Sequence, residues 1–140
     1  MSKKEQILKL LEEAKANKWY YPKTFAKLKS LGVIRYEVSW NDGYKAFYFL
    51  EQENFQELTK DSLSIQTPVS NTYQESQAKQ ALYEHQQGKT DFFTLLIQLA
   101  EFGISHNIVN MDENTVTYCS INNKHSFVEN VPKFKDENDE

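Results

Sequence analysis

Three histidines, one cysteine and a run of amides and carboxylates are the residues of this chain whose chemistry could exceed packing. The densest stretch is His85-Gln86-Gln87-Gly88-Lys89-Thr90-Asp91-Phe92-Phe93. His85 belongs to the side-chain type that titrates near neutral pH and could serve as a general base, with Gln86 and Asp91 as hydrogen-bonding partners for a polar ligand. At the end of an amphipathic helix the same histidine would instead interact with the helix dipole or pack on a sheet. His106, on a strand, and His125, after the Asn122-Asn123-Lys124 turn, are scattered. No His-x-x-x-His or Glu-x-x-His pairing links any two histidines, so neither a metal site nor a cofactor is expected. Cys119 follows Tyr118 on a strand and reads either as a small buried hydrophobe or as a thiolate that needs a nearby base. The candidate binding residues are His85, Gln86, Asp91, His106 and Tyr118, and no catalytic set is identified.

Other chemical signatures are absent. There is no Walker-type glycine loop, dinucleotide fingerprint, Gly-x-Ser-x-Gly elbow or zinc-ligand spacing, which weakens an enzymatic reading. Aromatics are plentiful: Trp19, Tyr20 and Tyr21 precede a helix, and Tyr36, Trp40, Tyr44 and Tyr48 spread along a hairpin. Alternation puts Tyr36, Val38 and Trp40 on one face of a strand and Arg35, Glu37 and Ser39 on the other. Such rings could stack bases, but the basic surround and the glycine-aromatic signature of sheet-type RNA binders are missing, so core packing is preferred.

The elements that must position these residues recur. A shift of 71 positions brings the two halves into register: Asn17 falls on Gly88, Tyr21 on Phe92, Phe25 on Leu96, Leu28 on Leu99, Gly32 on Gly103 and Val38 on Val109. Each copy reads as helix, helix, hairpin. First helices over about 4–16 and 74–87 are expected to end at Asn17 and Gly88, residue types that tolerate left-handed backbone. Second helices carry Tyr21, Phe25, Leu28 and Leu31, or Phe92, Leu95, Leu96, Leu99 and Phe102, at helical spacing. Pro22 suits a first turn, and Thr90 or Asp91 can cap.

Strands are expected at 33–40 and 44–50, joined through Asn41-Asp42-Gly43, and at 104–111 and 115–120. Edge strands are placed within 55–65 and at 126–131. The fold class is therefore α+β: two tandem helix-helix-β-hairpin repeats, about 4–65 and 74–131, with pseudo-two-fold symmetry and an antiparallel sheet covered by helices. Helix 92–102 is apolar nearly all round, so it should lie centrally and be covered on more than one side, or else form a homodimer interface.

With 140 residues the chain fits one domain, 1–131, followed by a disordered acidic tail, 132–140. A lone cysteine fits a reducing cytoplasm. The start lacks the apolar stretch of a leader, and no later segment approaches membrane-spanning length, so no membrane role is expected. Through Lys29 eight lysines face three glutamates, a local balance of +5, which leaves −9 to the remainder of a chain of net charge −4. The basic helices could meet nucleic acid, but lysines on a solvated helix face need no partner, and a single arginine, Arg35, argues against a dedicated phosphate surface.

The combination Gly32-Val33-Ile34-Arg35-Tyr36, the His85–Phe93 stretch, Phe102-Gly103-Ile104 and Thr115-Val116-Thr117-Tyr118 resembles an uncharacterised family of small proteins that includes prophage-encoded YdfO and members labelled "phage envelope protein". The resemblance covers about Tyr21 to Val131 and implies an α+β fold and a prophage association, with no activity to carry over. The family strand after the second glycine usually carries a Trp and an Asp where this chain has Asn107 and Asn110, which puts shared catalysis in doubt. The expected function is a non-enzymatic interaction or regulatory module with an unknown protein partner or small ligand. The alternatives are a ligand-binding protein or enzyme with a pocket between the repeats and, more weakly, nucleic-acid binding through the lysine-rich helices.

Overall fold

The computed structural model describes residues 2–41, 43–57 and 68–134. Among them the chain runs α1 (Lys3–Ala16), α2 (Tyr21–Ser30), β1 (Arg35–Ser39), β2 (Lys45–Phe49), β3 (Asn54–Glu57), α3 (Glu75–Gln86), α4 (Phe92–Glu101), β4 (Ile104–Asn110), β5 (Thr115–Ser120) and β6 (Ser126–Asn130). The six strands form one antiparallel sheet in the order β3-β2-β1-β4-β5-β6, so the fold is α+β. Its centre is the β1–β4 pair, in which Arg35 faces Asn110, Glu37 faces Ile108 and Ser39 faces His106.

Strand alternation decides which face is buried. Tyr36, Val38, Ala46, Tyr48, Phe55, Val109, Val116 and Phe127 share a core with Ile7 and Leu11 of α1, Phe25 and Leu28 of α2, Ala78 and Leu82 of α3, and Leu95, Leu96 and Leu99 of α4. The opposite face carries Arg35, Lys45, Phe47, Asn54 and Val128, all exposed, as an antiparallel sheet with one wet face allows. Helices pack in pairs, α1 with α2 and α3 with α4. Trp40 is fully buried, and its indole N–H donates to the Ile104 carbonyl at 2.8 Å, which ties the end of β1 to the start of β4.

Local chemistry sets the helix ends. Ser2 caps α1 by accepting from the Glu5 N–H at 3.1 Å, a Ser-x-x-Glu start. Asp91 caps α4, its Oδ1 accepting from the Thr94 N–H at 2.7 Å. α3 closes on Gly88, φ +79°, with the Lys89 N–H on the Glu84 carbonyl. The matching closure of α1 differs from the expectation: Asn17 sits at φ −100°, and the left-handed residue is Lys18, φ +50°. Asn17 is held instead by its own amide, which donates to the Glu13 carbonyl at 3.0 Å. The next residue therefore makes the turn, and the Trp19 N–H closes it on the Ala14 carbonyl.

Two further expectations are revised. α4 is not wrapped: Leu95, Leu96, Leu99 and Ala100 are buried, while Phe92, Phe93 and Ile97 stay exposed, because one sheet face and one partner helix cover only one stripe. The strand expected within 55–65 occupies Asn54–Glu57, and positions 58–65 lie outside the described residues, as do Asp42 of the first hairpin and 135–140 of the expected tail. At the start of that tail, Phe134 meets Tyr20 with ring centroids 6.3 Å apart.

Candidate functional site

The five residues singled out in the sequence do not converge. His85 and Asp91 share the α3–α4 joint. The His85 Nδ1–H donates to the Thr90 carbonyl at 2.9 Å, bracing the loop, and the Thr94 N–H holds the exposed Asp91 carboxyl below its usual range, with a smaller push from His85. Gln86 is exposed at the end of α3. His106 lies on the wet face of the sheet, where Nε2 meets Asn123 Oδ1 at 2.9 Å and Nδ1 meets Ser105 Oγ at 2.7 Å. These distances imitate a serine–histidine–amide relay, but Ser105 is 2% exposed and no substrate carbonyl can reach it. Tyr118 is on the other face, paired across strands with Asn107 and stacked on Phe127 at 5.2 Å.

Tyr118 borders a cluster that the sequence did not mark as a site. Tyr21 opens α2 and brings its hydroxyl against that of Tyr36 on β1. Tyr36 stacks on Tyr48 of β2 at 5.1 Å, and Tyr48 on Phe55 of β3 at 5.5 Å. The Tyr48 hydroxyl donates to Glu57 Oε1 at 3.4 Å. Tyr44 is an electrostatic neighbour of both Glu57 and Tyr21, and Tyr118 of both Tyr21 and Glu129. Five tyrosines from α2, β1, β2, β5 and the first hairpin thus gather between the paired helices and the sheet.

Depth varies across the cluster. Tyr36, Tyr48 and Glu57 are buried and form its floor, and Tyr44 and Tyr118 are half-buried. Tyr21 is 40% exposed along its ring while its hydroxyl end points inward. At the mouth Tyr44 meets the exposed Phe92 ring edge-on at 5.8 Å. Two side-chain oxygens, Gln98 Oε1 on α4 and Asn107 Oδ1 beside Tyr118, are buried without a hydrogen-bond partner.

Burial pushes the phenols of Tyr21, Tyr36, Tyr44, Tyr48 and Tyr118 well above their ordinary range, and carboxylates add to it: Glu57 beside Tyr44 and Tyr48, Glu129 beside Tyr118. They therefore remain protonated hydroxyls that donate and accept, and none is a phenolate base. Cys119, on the wet face opposite His106, is raised by burial and stays a thiol rather than a nucleophilic thiolate. Among the described residues no group of three His, Cys, Asp or Glu side chains could hold a metal ion. Chemically the cluster can bind and orient.

Other features are less built. A cavity of about 180 Å³ between α2 and residues 131–134 is lined by Pro22, Phe25, Ala26, Val131 and Phe134 among others, with Lys29, Asn114 and Lys133 as its polar members. Several lysines of the first helices have local partners: Lys4 lies over Phe55, Lys15 meets Glu57, Lys23 lies over Trp19 and Lys29 reaches Asn114. No helix among the described residues is long and apolar enough to cross a membrane.

The signal for the cluster was present but ambiguous. Eight tyrosines is a high count, and Tyr36 and Tyr48 occupy inward strand positions where Phe or Leu would pack as well. Glu57 follows Phe55 at the next inward position, where a carboxylate is out of place without partners.

A search among curated proteins finds no match. A family model described as Protein of unknown function (DUF1398) matches residues 9–130, which takes in the tyrosine cluster and all six strands of the sheet. The chain belongs to that uncharacterised family.

Proposed function

We propose that the protein is a non-enzymatic, small-ligand-binding regulatory module, built as two copies of a helix-helix-three-strand unit with the binding cleft between them. The observation that carries the reading is the gathering of five protonated tyrosines, of which Tyr48 bonds the buried Glu57 and Tyr44 neighbours it, with Tyr21, Tyr44 and Tyr118 only partly buried. Pockets of this kind, mostly aromatic with a few convergent polar groups, are where small ligands bind.

The repeat supports a cleft on the pseudo-two-fold axis. The central register is self-consistent: a shift of 71 carries Arg35 to His106 and Ser39 to Asn110, and these residues pair as Arg35–Asn110 and Ser39–His106. Elsewhere the equivalence drifts, which lowers sequence identity at any fixed shift. The α1 and α3 closures match at an offset of 70 (Lys18 with Gly88), Tyr48 matches Tyr118 at 70, and Phe55 and Glu57 match Phe127 and Glu129 at 72. The stacked Tyr48–Phe55 and Tyr118–Phe127 pairs then become equivalents. A prophage association, from the motif resemblance, belongs to the same proposal.

The test is a fragment screen on ¹⁵N-labelled protein. Hits should shift the amides of Tyr21, Tyr36, Tyr44, Tyr48 and Tyr118 together, and Tyr118→Ala should weaken them. Hits scattered over the surface, or none, would sink the reading. A second reading, self-association through α4, has its own observation in the exposed Phe92, Phe93 and Ile97.

A further inference from the structure

We infer that the ligand of this cleft is an organic cation carrying a primary ammonium group. This rests on the cleft reading above and adds to it the charge and hydrogen-bonding character of the occupant. The floor of the cluster has acceptors in excess. Glu57 is 4% exposed, and its carboxylate meets two donors among the described residues, the Tyr48 hydroxyl and the Lys15 ammonium, both at 3.4 Å. Charge-assisted bonds to a carboxylate settle near 2.7–2.9 Å, and the group offers about four lone-pair sites. Among the described residues its demand for donors is therefore only partly met. Asn107 Oδ1, across the ladder from Tyr118, is a buried acceptor with no donor among the described residues.

Of the cluster's own hydroxyls, Tyr48 already meets Glu57 and Tyr44 lies near it. Tyr21 and Tyr36 turn their hydroxyls on each other. Lys15 reaches Glu57 from outside: its side chain is 57% exposed, so it can swing back into water at little cost when a better-placed ammonium arrives. A ligand –NH₃⁺ brings three donors and one positive charge, which matches the deficit in both number and sign. The exposed ring of Phe92 and the half-buried ring of Tyr44 at the mouth offer apolar surface and aromatic faces to the body of such a cation. An anionic ligand would meet the buried carboxylate of Glu57 on the floor and the Glu129 carboxylate near Tyr118, with no buried cation among the described residues to receive it.

The experiment compares three ligands of one shape: benzylamine, benzyl alcohol and benzoate, each titrated into ¹⁵N-labelled protein at neutral pH. Benzylamine is expected to bind about tenfold tighter than benzyl alcohol, the equivalent of one charge-assisted contact, with benzoate weakest. Equal affinities, or a preference for benzoate, overturn the cation assignment while leaving a binding cleft in place. Silence from all three, together with an empty fragment screen, overturns the cleft itself and the assignment with it. Two variants refine the result. Glu57→Gln should bring the affinity of benzylamine to within about twofold of that of benzyl alcohol for the same variant. Lys15→Ala removes the competing ammonium from an exposed position and should tighten benzylamine about threefold. If Glu57→Gln fails to fold, the Lys15→Ala result decides, and an unchanged or weakened benzylamine affinity there counts against the proposal.

Discussion

Three left-handed residues differ in ways that stability measurements can resolve. Gly88 and Gly103 both have positive φ, but a Cβ on Gly88 would meet nothing within 4 Å, whereas one on Gly103 would stand 2.6 Å from the Thr72 carbonyl oxygen and 2.9 Å from Tyr73 Cα. Gly88→Ala thus bears only the backbone cost, about 1 kcal/mol. Gly103→Ala adds a clash with main chain that cannot swing aside, for a total of about 3 kcal/mol. Lys18 already bears the left-handed cost, so Lys18→Gly should stabilise by about 0.5 kcal/mol after the entropy of the unfolded chain is counted. Urea unfolding should rank the midpoints Lys18→Gly, unsubstituted chain, Gly88→Ala, Gly103→Ala from highest to lowest. A Gly103→Ala variant as mild as Gly88→Ala would show that the Thr72–Tyr73 segment can move away. The same positions explain a limit on reading single residues. By residue type Asn17 is better suited than Lys18 to left-handed backbone, but the Asn17 amide bonds the Glu13 carbonyl, which the sequence does not announce, and the turn falls one residue later.

At the scale of elements, α4 tests what its exposed apolar stripe does. Phe93 and Ile97 face water, so Phe93→Ser with Ile97→Ser should change unfolding stability by only a few tenths of a kcal/mol per site. If α4 joins two copies, sedimentation should show a concentration-dependent dimer for the unsubstituted chain and a monomer for the double variant. A monomer at high micromolar concentration before substitution removes that interface. The helices and strands themselves were legible because each has a strong period: Phe25 and Leu28, or Leu95, Leu96 and Leu99, at helical spacing, and Tyr36, Val38 and Trp40 alternating. Boundaries moved by a residue or two, as at β1, where Val33 and Trp40 are buried but lie outside the strand Arg35–Ser39. The tyrosine cluster was not legible, since its members come from α2, β1, β2, β3, β5 and the first hairpin and are joined only by sheet order. Each tyrosine taken alone is an ordinary core aromatic. His85 and Asp91 looked like chemistry because they are close in sequence, and the structure uses both to build a joint.

For the whole molecule, the buried phenols couple folding to alkaline pH. An unfolded tyrosine loses its proton near pH 10, whereas Tyr36 and Tyr48, raised by burial and then by neighbouring phenols or Glu57, hold theirs well beyond that in the folded chain. Below pH 10 both states are protonated and the stabilisation is fully present. Above it the unfolded chain binds fewer protons than the folded one, so stability falls with pH until the folded value is reached, by about 1.4 kcal/mol per pH unit for each such tyrosine. Set against a total of about 5–15 kcal/mol for an ordinary domain, two or more buried phenols should unfold the chain cooperatively within a few units above pH 10. Circular dichroism should report a single transition. In ¹³Cζ-tyrosine spectra Tyr36 and Tyr48 should keep protonated shifts up to that transition and become phenolate only with it. Tyr48→Phe, which keeps the ring stacked between Tyr36 and Phe55 but removes one linked proton, should move the alkaline midpoint upward relative to the stability measured at pH 7. Gradual ionisation of Tyr36 or Tyr48 in a chain that stays folded would mean that water reaches the floor of the cluster. The hydroxyls would then be solvated already, and the unmet hydrogen-bonding demand that a ligand is proposed to satisfy would not exist.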